Sequence, residues 1–118
     1  MYRIIHCSPK HTFEELHTAI QEAFSFADDH LYSFYLDGIR YSNNAVNSAD
    51  SHEPPYAHDV YLGEARLRNR QNILYLFDYG DQWEFDITLR VIDEPNQPTK
   101  PKIMKSVGES PEQYPDEW

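Results

Sequence analysis

The stretch FDYGDQWEFD, residues 77–86, carries the densest set of side chains capable of chemistry. Its four carboxylates could bind a metal ion or act as a general acid and base. Alternation along a β-hairpin, however, places Glu84 and Asp86 on the face opposite Trp83 and Phe85. The carboxylates are therefore not expected to converge. We interpret the stretch first as a hairpin with an acidic outer face, whose turn aspartates cap backbone N–H groups.

The best catalytic set that the sequence offers lies at the end of this hairpin. Asp78 and Asp81 form the pair, and Trp83 would provide an aromatic wall beside them. His30 is a third candidate because it begins a predicted strand. If these groups converge around a pocket, they could support a small metal-dependent hydrolase. We keep this hydrolase as an alternative function.

The remaining metal-binding and nucleophilic residue types form no recognised site. Glu14 and His17 have the i, i+3 spacing of di-iron bundles, but such centres need two copies of it and two further glutamates on four helices. Cys7 and His6 are neighbours on a predicted strand, so their side chains point to opposite faces. A lone cysteine cannot form an internal disulfide or a thiolate cage. The sequence thus predicts neither a bound metal nor a cofactor.

Charge and length limit the classes of function. The chain has 118 residues, with 10 Lys and Arg against 20 Asp and Glu, giving a formal net charge of −10. Such a balance disfavours nucleic acids and anionic membranes as ligands, because both need clustered cations. No apolar run is long enough to span a bilayer, and the first residues lack the pattern of a secretory signal. We expect a cytoplasmic protein without membrane association.

The elements that would position these residues follow from periodicity. Residues 11–24 predict an amphipathic helix with Thr12 as N-cap and Glu15 completing a capping box. Alternating patterns predict strands over 2–7, 30–41 (with a turn at Asp37–Gly38), 72–94 (with Gly80 at the turn) and 102–107. The polar segment 42–59 is interpreted as a surface loop.

These elements predict a single α+β domain over residues 1–107, followed by an acidic tail over 108–118. A mixed or antiparallel sheet should carry one main amphipathic helix packed on one face. Two sets of side chains should meet at that face: Phe13, Leu16, Ile20 and Phe24 from the helix, and Trp83, Phe85, Ile87 and Leu89 from the hairpin. The candidate binding residues are Trp83 and the aromatics of the preceding strand, Tyr75, Phe77 and Tyr79, whose sheet face is the expected contact region.

Two stretches in order, TFEELHTAIQEAFSFADDHLYSFYLDG and LYLFDYGDQWEFDITL, resemble the Ri-plasmid open-reading-frame-three-like family, also labelled insertion-element passenger proteins. The matching positions are Thr12, Phe13, Leu16, His17, Ile20, Gln21, Ala23, Phe24, His30, Leu31 and Phe34, then Tyr75, Asp78, Gly80, Asp81, Trp83 and Ile87. The resemblance covers roughly residues 10 to 107. Phe85 and Asp86 replace a Glu-His pair found in many members, and the cysteines frequent near their C-terminus are missing.

The resemblance implies an α+β domain and no particular reaction. Together with the lack of a convergent catalytic set, it predicts a non-catalytic binding or adaptor module encoded in or near mobile elements, whose partner could be a protein. The metal-dependent hydrolase remains the alternative. A nucleic-acid accessory role is a third possibility, suggested only by mobile-element relatives and opposed by the net charge.

Overall fold

The computed structural model describes residues 1–89 and 99–114. In chain order the strands and the helix are β1 (Tyr2–His6), α1 (Phe13–Phe24), β2 (Tyr32–Tyr35), β3 (Ala45–Asn47), β4 (Asn72–Phe77), β5 (Trp83–Thr88) and β6 (Lys102–Val107), with 3₁₀ turns at Ala49–Ser51 and Leu62–Ala65. Strands β3-β2-β4-β5 form an antiparallel sheet, and β1 pairs with β6 in a separate two-stranded ribbon. The predicted α+β class is confirmed. The boundary between domain and tail stays a prediction.

Helix α1 begins with the predicted capping box. The Thr12 hydroxyl accepts a hydrogen bond from the Glu15 backbone N–H at 3.2 Å, and the Glu15 carboxylate accepts one from the Thr12 N–H at 3.1 Å. Such caps satisfy backbone donors that the first turn leaves unpaired. The helix ends at Phe24 because Ser25 adopts a left-handed conformation, with φ of 55°.

The main core lies between α1 and one face of the four-stranded sheet. Phe13, near the start of the helix, contacts Phe34 of β2 with a ring separation of 5.2 Å. Phe24, at its end, contacts Phe85 of β5 at 4.8 Å. Trp83 and Ile87 pack against the same cluster, so the predicted helix–hairpin contact is confirmed for three of its four sheet residues. The fourth, Leu89, lies beyond β5, where its backbone pairs with Arg70 and Gln71.

Tyr75 and Phe77, two of the four candidate binding residues, do not lie on an exposed face of the sheet. Both are fully buried in the core beneath α1. The cause is the register of the hairpin, which pairs Tyr75 with Phe85 and Phe77 with Trp83. Directly paired residues share a face of the sheet, so all four belong to the helix-covered side.

Tyr79 departs from this face because the alternation breaks at Asp78. Asp78 has a φ of +63°, and Tyr79 consequently packs on the opposite side of the sheet, beside Tyr35, Leu74 and Leu76. Its hydroxyl lies 2.6 Å from the Ser33 hydroxyl. Tyr79 therefore supports a second, smaller cluster on the helix-free face.

The segment 42–59 is not simply a surface loop. It contains β3, in which Val46 is buried, and Ala57 is also inaccessible to solvent. The backbone N–H of Asn47 donates to Pro55 O at 2.9 Å, and that of Ala57 donates to Asn47 O at 2.8 Å. These bonds fix the segment along the edge of the sheet.

The β1–β6 ribbon is joined to the end of α1 mainly through Arg3. Its Nε donates to Ala23 O at 2.9 Å, and its guanidinium lies over the Phe24 ring at 4.7 Å. Arg3 and Ile5 therefore define the inner face of the ribbon, since Ile5 also packs against the core. Residues Lys102 to Ser106 of β6 are all exposed.

Candidate binding cleft beside the helix

A cleft of about 690 Å³ opens beside the first half of α1. It is bounded by the first turns of the helix, by the segment leading into β2 and by the 3₁₀ turn after β3. The lining residues include four carboxylates and two imidazoles but neither lysine nor arginine; they are Glu14, His17, Thr18, Asp28, Asp29, His30, Leu31, Tyr32, Ser48, Ala49 and Asp50. The cleft is thus a polar depression of one charge sign.

His17 connects the wall of the cleft to the core. Its Nε2 lies 2.8 Å from Asp28 Oδ1, and its Nδ1 lies 2.6 Å from the Tyr75 hydroxyl. Its ring stacks on Tyr32 with centroids 3.6 Å apart and planes 8° from parallel. Gln21 Nε2 donates to the same Tyr75 hydroxyl at 2.9 Å. Three side chains therefore hold the imidazole in one orientation, and Gln21 in turn fixes the Tyr75 hydroxyl.

Burial determines the protonation state of this imidazole. Desolvation lowers the pKa of His17 below its ordinary value, although the neighbouring Asp28 carboxylate opposes the shift. We therefore take the ring as neutral at neutral pH. In that state the hydrogen-bond network assigns the proton to Nε2, which donates to Asp28, while Nδ1 accepts from the Tyr75 hydroxyl.

The chain of carboxylate, imidazole and hydroxyl resembles a nucleophile relay in composition, but its hydroxyl end is inaccessible. Tyr75 is wholly buried, and burial raises the pKa of its hydroxyl. A relay requires a nucleophile that a substrate can reach. The other candidate nucleophile, Cys7, is equally inert, because burial raises the pKa of its thiol to about 12. The Asp28–His17–Tyr75 chain is best explained as a structural network.

The predicted catalytic residues are brought together only in part. His30 Nε2 lies 3.4 Å from Asp78 Oδ2. The other Asp78 oxygen accepts hydrogen bonds from the backbone N–H groups of Gly80 at 3.1 Å and Asp81 at 3.3 Å. Asp81 thus contributes its backbone to this arrangement, and its side chain is exposed. Across residues 1–89 and 99–114, no three His, Cys, Asp or Glu side chains are grouped so as to hold a metal ion.

Asp78 therefore caps backbone N–H groups of the hairpin turn, as expected for an acidic hairpin whose turn aspartates act as caps. Positive φ values occur at Asp78 and Gln82 and not at Gly80, the residue that the sequence places at the turn. The Gln82 backbone N–H donates to Asp78 O and closes the turn. Asp tolerates the left-handed region better than most residues because its side chain can bond to nearby backbone.

The C-terminal segment contributes Tyr114, a residue that the sequence did not single out and that bonds to two residues lining the cleft. The Tyr114 hydroxyl lies 2.7 Å from His30 Nε2 and donates to Asp29 at 3.0–3.1 Å. Gln113 also bonds to both backbone polar groups of Ala27. An aromatic residue within an acidic tail is a weak local signal, and its partners lie more than eighty residues away in the chain.

The four predicted binding residues occupy different surroundings. Tyr75 and Phe77 are core residues, as described above. Trp83 is half-buried against Phe26, at a ring separation of 5.1 Å, and its buried Nε1 has no hydrogen-bond partner among the described residues. Tyr79 lines a shallow groove of about 470 Å³ on the helix-free face. The four residues therefore form no common surface.

Comparison with known proteins gives a family and a fold. A family model described as plasmid pRiA4b ORF-3-like protein matches residues 1–114. The crystal structure of a protein of unknown function from Methanosarcina mazei Go1 is similar, with a TM-score of 0.65 and 22% sequence identity. The similarity covers 87% of this chain and 58% of that one. Among curated proteins, none matches.

No helix in the described ranges is both long and apolar enough to cross a membrane.

Proposed function

The chain belongs to the plasmid pRiA4b ORF-3-like family, and we propose that it is a non-catalytic binding module whose cleft beside α1 receives a cationic segment of a partner protein. The observation that carries this proposal is the composition of the cleft. Glu14, Asp28, Asp29 and Asp50 line it without a neighbouring lysine or arginine. Carboxylates grouped in this way attract lysine and arginine side chains through charge-assisted hydrogen bonds.

The floor of the cleft is already ordered. The His17 and Tyr32 rings line the cleft, are stacked on each other and are largely buried. Because both rings are already packed, a ligand would not have to order them, which reduces the entropic cost of binding. The net charge of −10 should further speed the encounter with a basic partner.

A binding role is favoured over the hydrolase because the polar groups near the cleft are already engaged in the fold. Asp78 caps the hairpin turn, and His17 is held at both ring nitrogens. Tyr75 is buried and Cys7 is half-buried, and desolvation raises the pKa of both side chains, so both stay protonated at neutral pH. The side chains that remain at the solvent boundary are mainly carboxylates suited to ion pairing.

The test is titration of a fluorescent hexalysine peptide into the protein at physiological salt, followed by fluorescence anisotropy. We expect saturable binding to the wild type, and little binding of a matched hexaglutamate peptide. Asp50→Lys should weaken hexalysine binding by about tenfold, since it replaces an attractive charge with a repulsive one. Asp59→Lys is the matched control, because Asp59 is exposed and lies outside the cleft lining.

Equal losses in both variants would assign the binding to net charge and would contradict a role for the cleft. Absence of hexalysine binding to the wild type would contradict the proposal altogether. Asp28 is not used in this test, because its carboxylate also holds His17 and its replacement could alter the fold.

A further inference from the structure

The segment that follows β6 makes its hydrogen bonds to the rest of the molecule through side chains. Within the described part of the chain, residues 109–114 form no hydrogen bond between two backbone groups. Their contacts come from Ser110, which accepts from Arg3, and from Gln113 and Tyr114. A segment held in this way can detach without breaking a sheet or a helix, so its local opening requires little free energy.

Tyr114 bonds to two residues that line the cleft beside α1. Its hydroxyl donates to Asp29, at 3.1 Å from Oδ1 and 3.0 Å from Oδ2. The same hydroxyl lies 2.7 Å from His30 Nε2. Because the single phenolic proton goes to Asp29, the imidazole is the donor in this second contact. Asp29 and His30 both belong to the cleft lining.

Gln113 positions this hydroxyl. Its Oε1 accepts from the Ala27 backbone N–H at 2.7 Å, and its Nε2 donates to Ala27 O at 3.1 Å. The same Nε2 also lies 3.4 Å from Asp29 Oδ1. Tyr114 nevertheless remains 45% exposed, so burial adds little to the attachment. The docked position of the segment therefore depends on a few polar contacts.

The contact with Tyr114 occupies a carboxylate that a cationic ligand of the cleft would use. The hydroxyl lies almost equally far from the two oxygens of Asp29, which is the place that an ammonium or guanidinium group takes in a bidentate contact. Asp28, by comparison, gives only one oxygen to His17. A cation that approaches Asp29 must therefore displace the phenol, although the charge-assisted bond that it forms is the stronger one.

Charge does not draw the segment to this position. Residues 109–118 contain four carboxylates and neither lysine nor arginine. The cleft lining is acidic as well, so the two repel each other through their charges. Specific hydrogen bonds from Gln113 and Tyr114 offset that repulsion, which makes the docked state easy to disrupt.

We propose that the C-terminal segment and the cationic ligand of the cleft compete for Asp29, so that Tyr114 acts as an intramolecular inhibitor of the cleft. This inference rests on the function proposed above. The apparent affinity for the ligand is reduced by the fraction of molecules in which the segment is docked. By thermodynamic linkage, a bound cation releases the segment by the same factor.

The experiment is titration of the fluorescent hexalysine peptide into Tyr114→Phe, which removes one hydroxyl and leaves the charge of the chain unchanged. We expect binding about threefold to tenfold tighter than in the wild type, since one hydrogen bond no longer competes. Tyr2→Phe, at an exposed tyrosine of the β1–β6 ribbon, is the matched control and should bind like the wild type.

A double-mutant cycle tests whether the gain depends on Asp29. Asp29→Asn keeps an oxygen that can accept from the Tyr114 hydroxyl but no longer attracts a cation. In this background Tyr114→Phe should give no gain in hexalysine affinity. A gain of the same size in both backgrounds would overturn competition for Asp29.

The reciprocal effect is measured by NMR on the wild type. The Ala27 backbone amide and the Gln113 side-chain amide report docking, because they bond to each other. Addition of hexalysine should move both resonances toward their positions in Tyr114→Phe, and the hexaglutamate peptide should leave them in place.

The outcomes separate this inference from the function on which it rests. If hexalysine binds the wild type and Tyr114→Phe equally well, the competition is overturned and the binding function of the cleft stands. If hexalysine binds neither protein, the binding function itself is contradicted, and the competition with it.

Discussion

The four-stranded sheet and the β1–β6 ribbon are built from similar strands but are stabilised differently. Every residue of β2 is buried, and β4 is buried from Ile73 to Phe77, because α1 covers one face and the Tyr79 cluster the other. In β6, by contrast, Lys102 to Ser106 are all exposed. The sheet is therefore held by burial, and the ribbon by strand pairing and a few anchoring side chains.

The largest expected effect comes from a pair of side-chain truncations, one in the sheet and one in the ribbon. Phe34 is fully buried against Phe13 and Tyr75, so Phe34→Ala should lower the free energy of unfolding by about 3–5 kcal/mol. Ile4 is exposed on the ribbon, and Ile4→Ala should cost less than about 0.5 kcal/mol. Urea unfolding followed by circular dichroism measures both. Comparable losses would mean that the ribbon is as strongly packed as the core.

A smaller effect is expected from the anchor of the ribbon. Arg3→Met keeps much of the aliphatic stem but removes the hydrogen bonds to Ala23 O and Val107 O, along with the cation over Phe24. We expect the free energy of unfolding to fall by about 1–2 kcal/mol, with faster amide exchange mainly in β1 and β6. Hydrogen exchange followed by mass spectrometry measures which strands exchange faster. Arg40→Met, which removes an exposed ion pair with Glu84, is the control and should leave the ribbon unchanged.

The smallest effect concerns pH and should be confined to the helix side. The pKa of His17 is lowered by burial, whereas in the unfolded chain it returns to about 6.5. The unfolded state therefore binds more protons below that pH, and stability should fall as the pH drops through about 6.5 toward the lower folded value. Asp28 and Glu14, which face the imidazole, oppose the shift and limit its size.

Comparing unfolding free energies at pH 7.5 and 5.5 in wild type and His17→Gln isolates this contribution. The variant should lose part of the pH dependence. His58→Gln, at an exposed histidine, should retain it. An unchanged pH dependence in His17→Gln would show that other groups govern stability in this range.

Local patterns were sufficient to predict the elements whose sequence signals lie within a few residues of one another. The Thr12–Glu15 capping box and the apolar repeat of α1 are such cases, and the structure confirms both. Local patterns were not sufficient to predict which residues of β4 face the core. Only the pairing of Phe77 with Trp83 decides that the odd-numbered aromatics point into the core. That pairing depends on a turn closed by left-handed Asp78 and Gln82, for which no glycine is present at either position.

The cleft could be predicted only in fragments. The i, i+3 spacing of Glu14 and His17 does place both on the same side of α1, and both line the cleft. The partner that matters most to His17, Tyr75, lies 58 residues away along the chain. Likewise Val46 and Ala57 are isolated apolar residues in a polar segment, and only long-range pairing buries them.

Both ring nitrogens of His17 are hydrogen-bonded, and this connects the cleft to hydrogen bonds in the interior. A cation that draws the Asp28 carboxylate toward itself must weaken the hydrogen bond from His17 Nε2. The change is transmitted through the imidazole to the Tyr75 hydroxyl and on to the Gln21 amide, which lies wholly in the interior. The ring resonances of His17 and the side-chain amide resonances of Gln21 are therefore natural reporters of occupancy, readable without attaching a label to the protein.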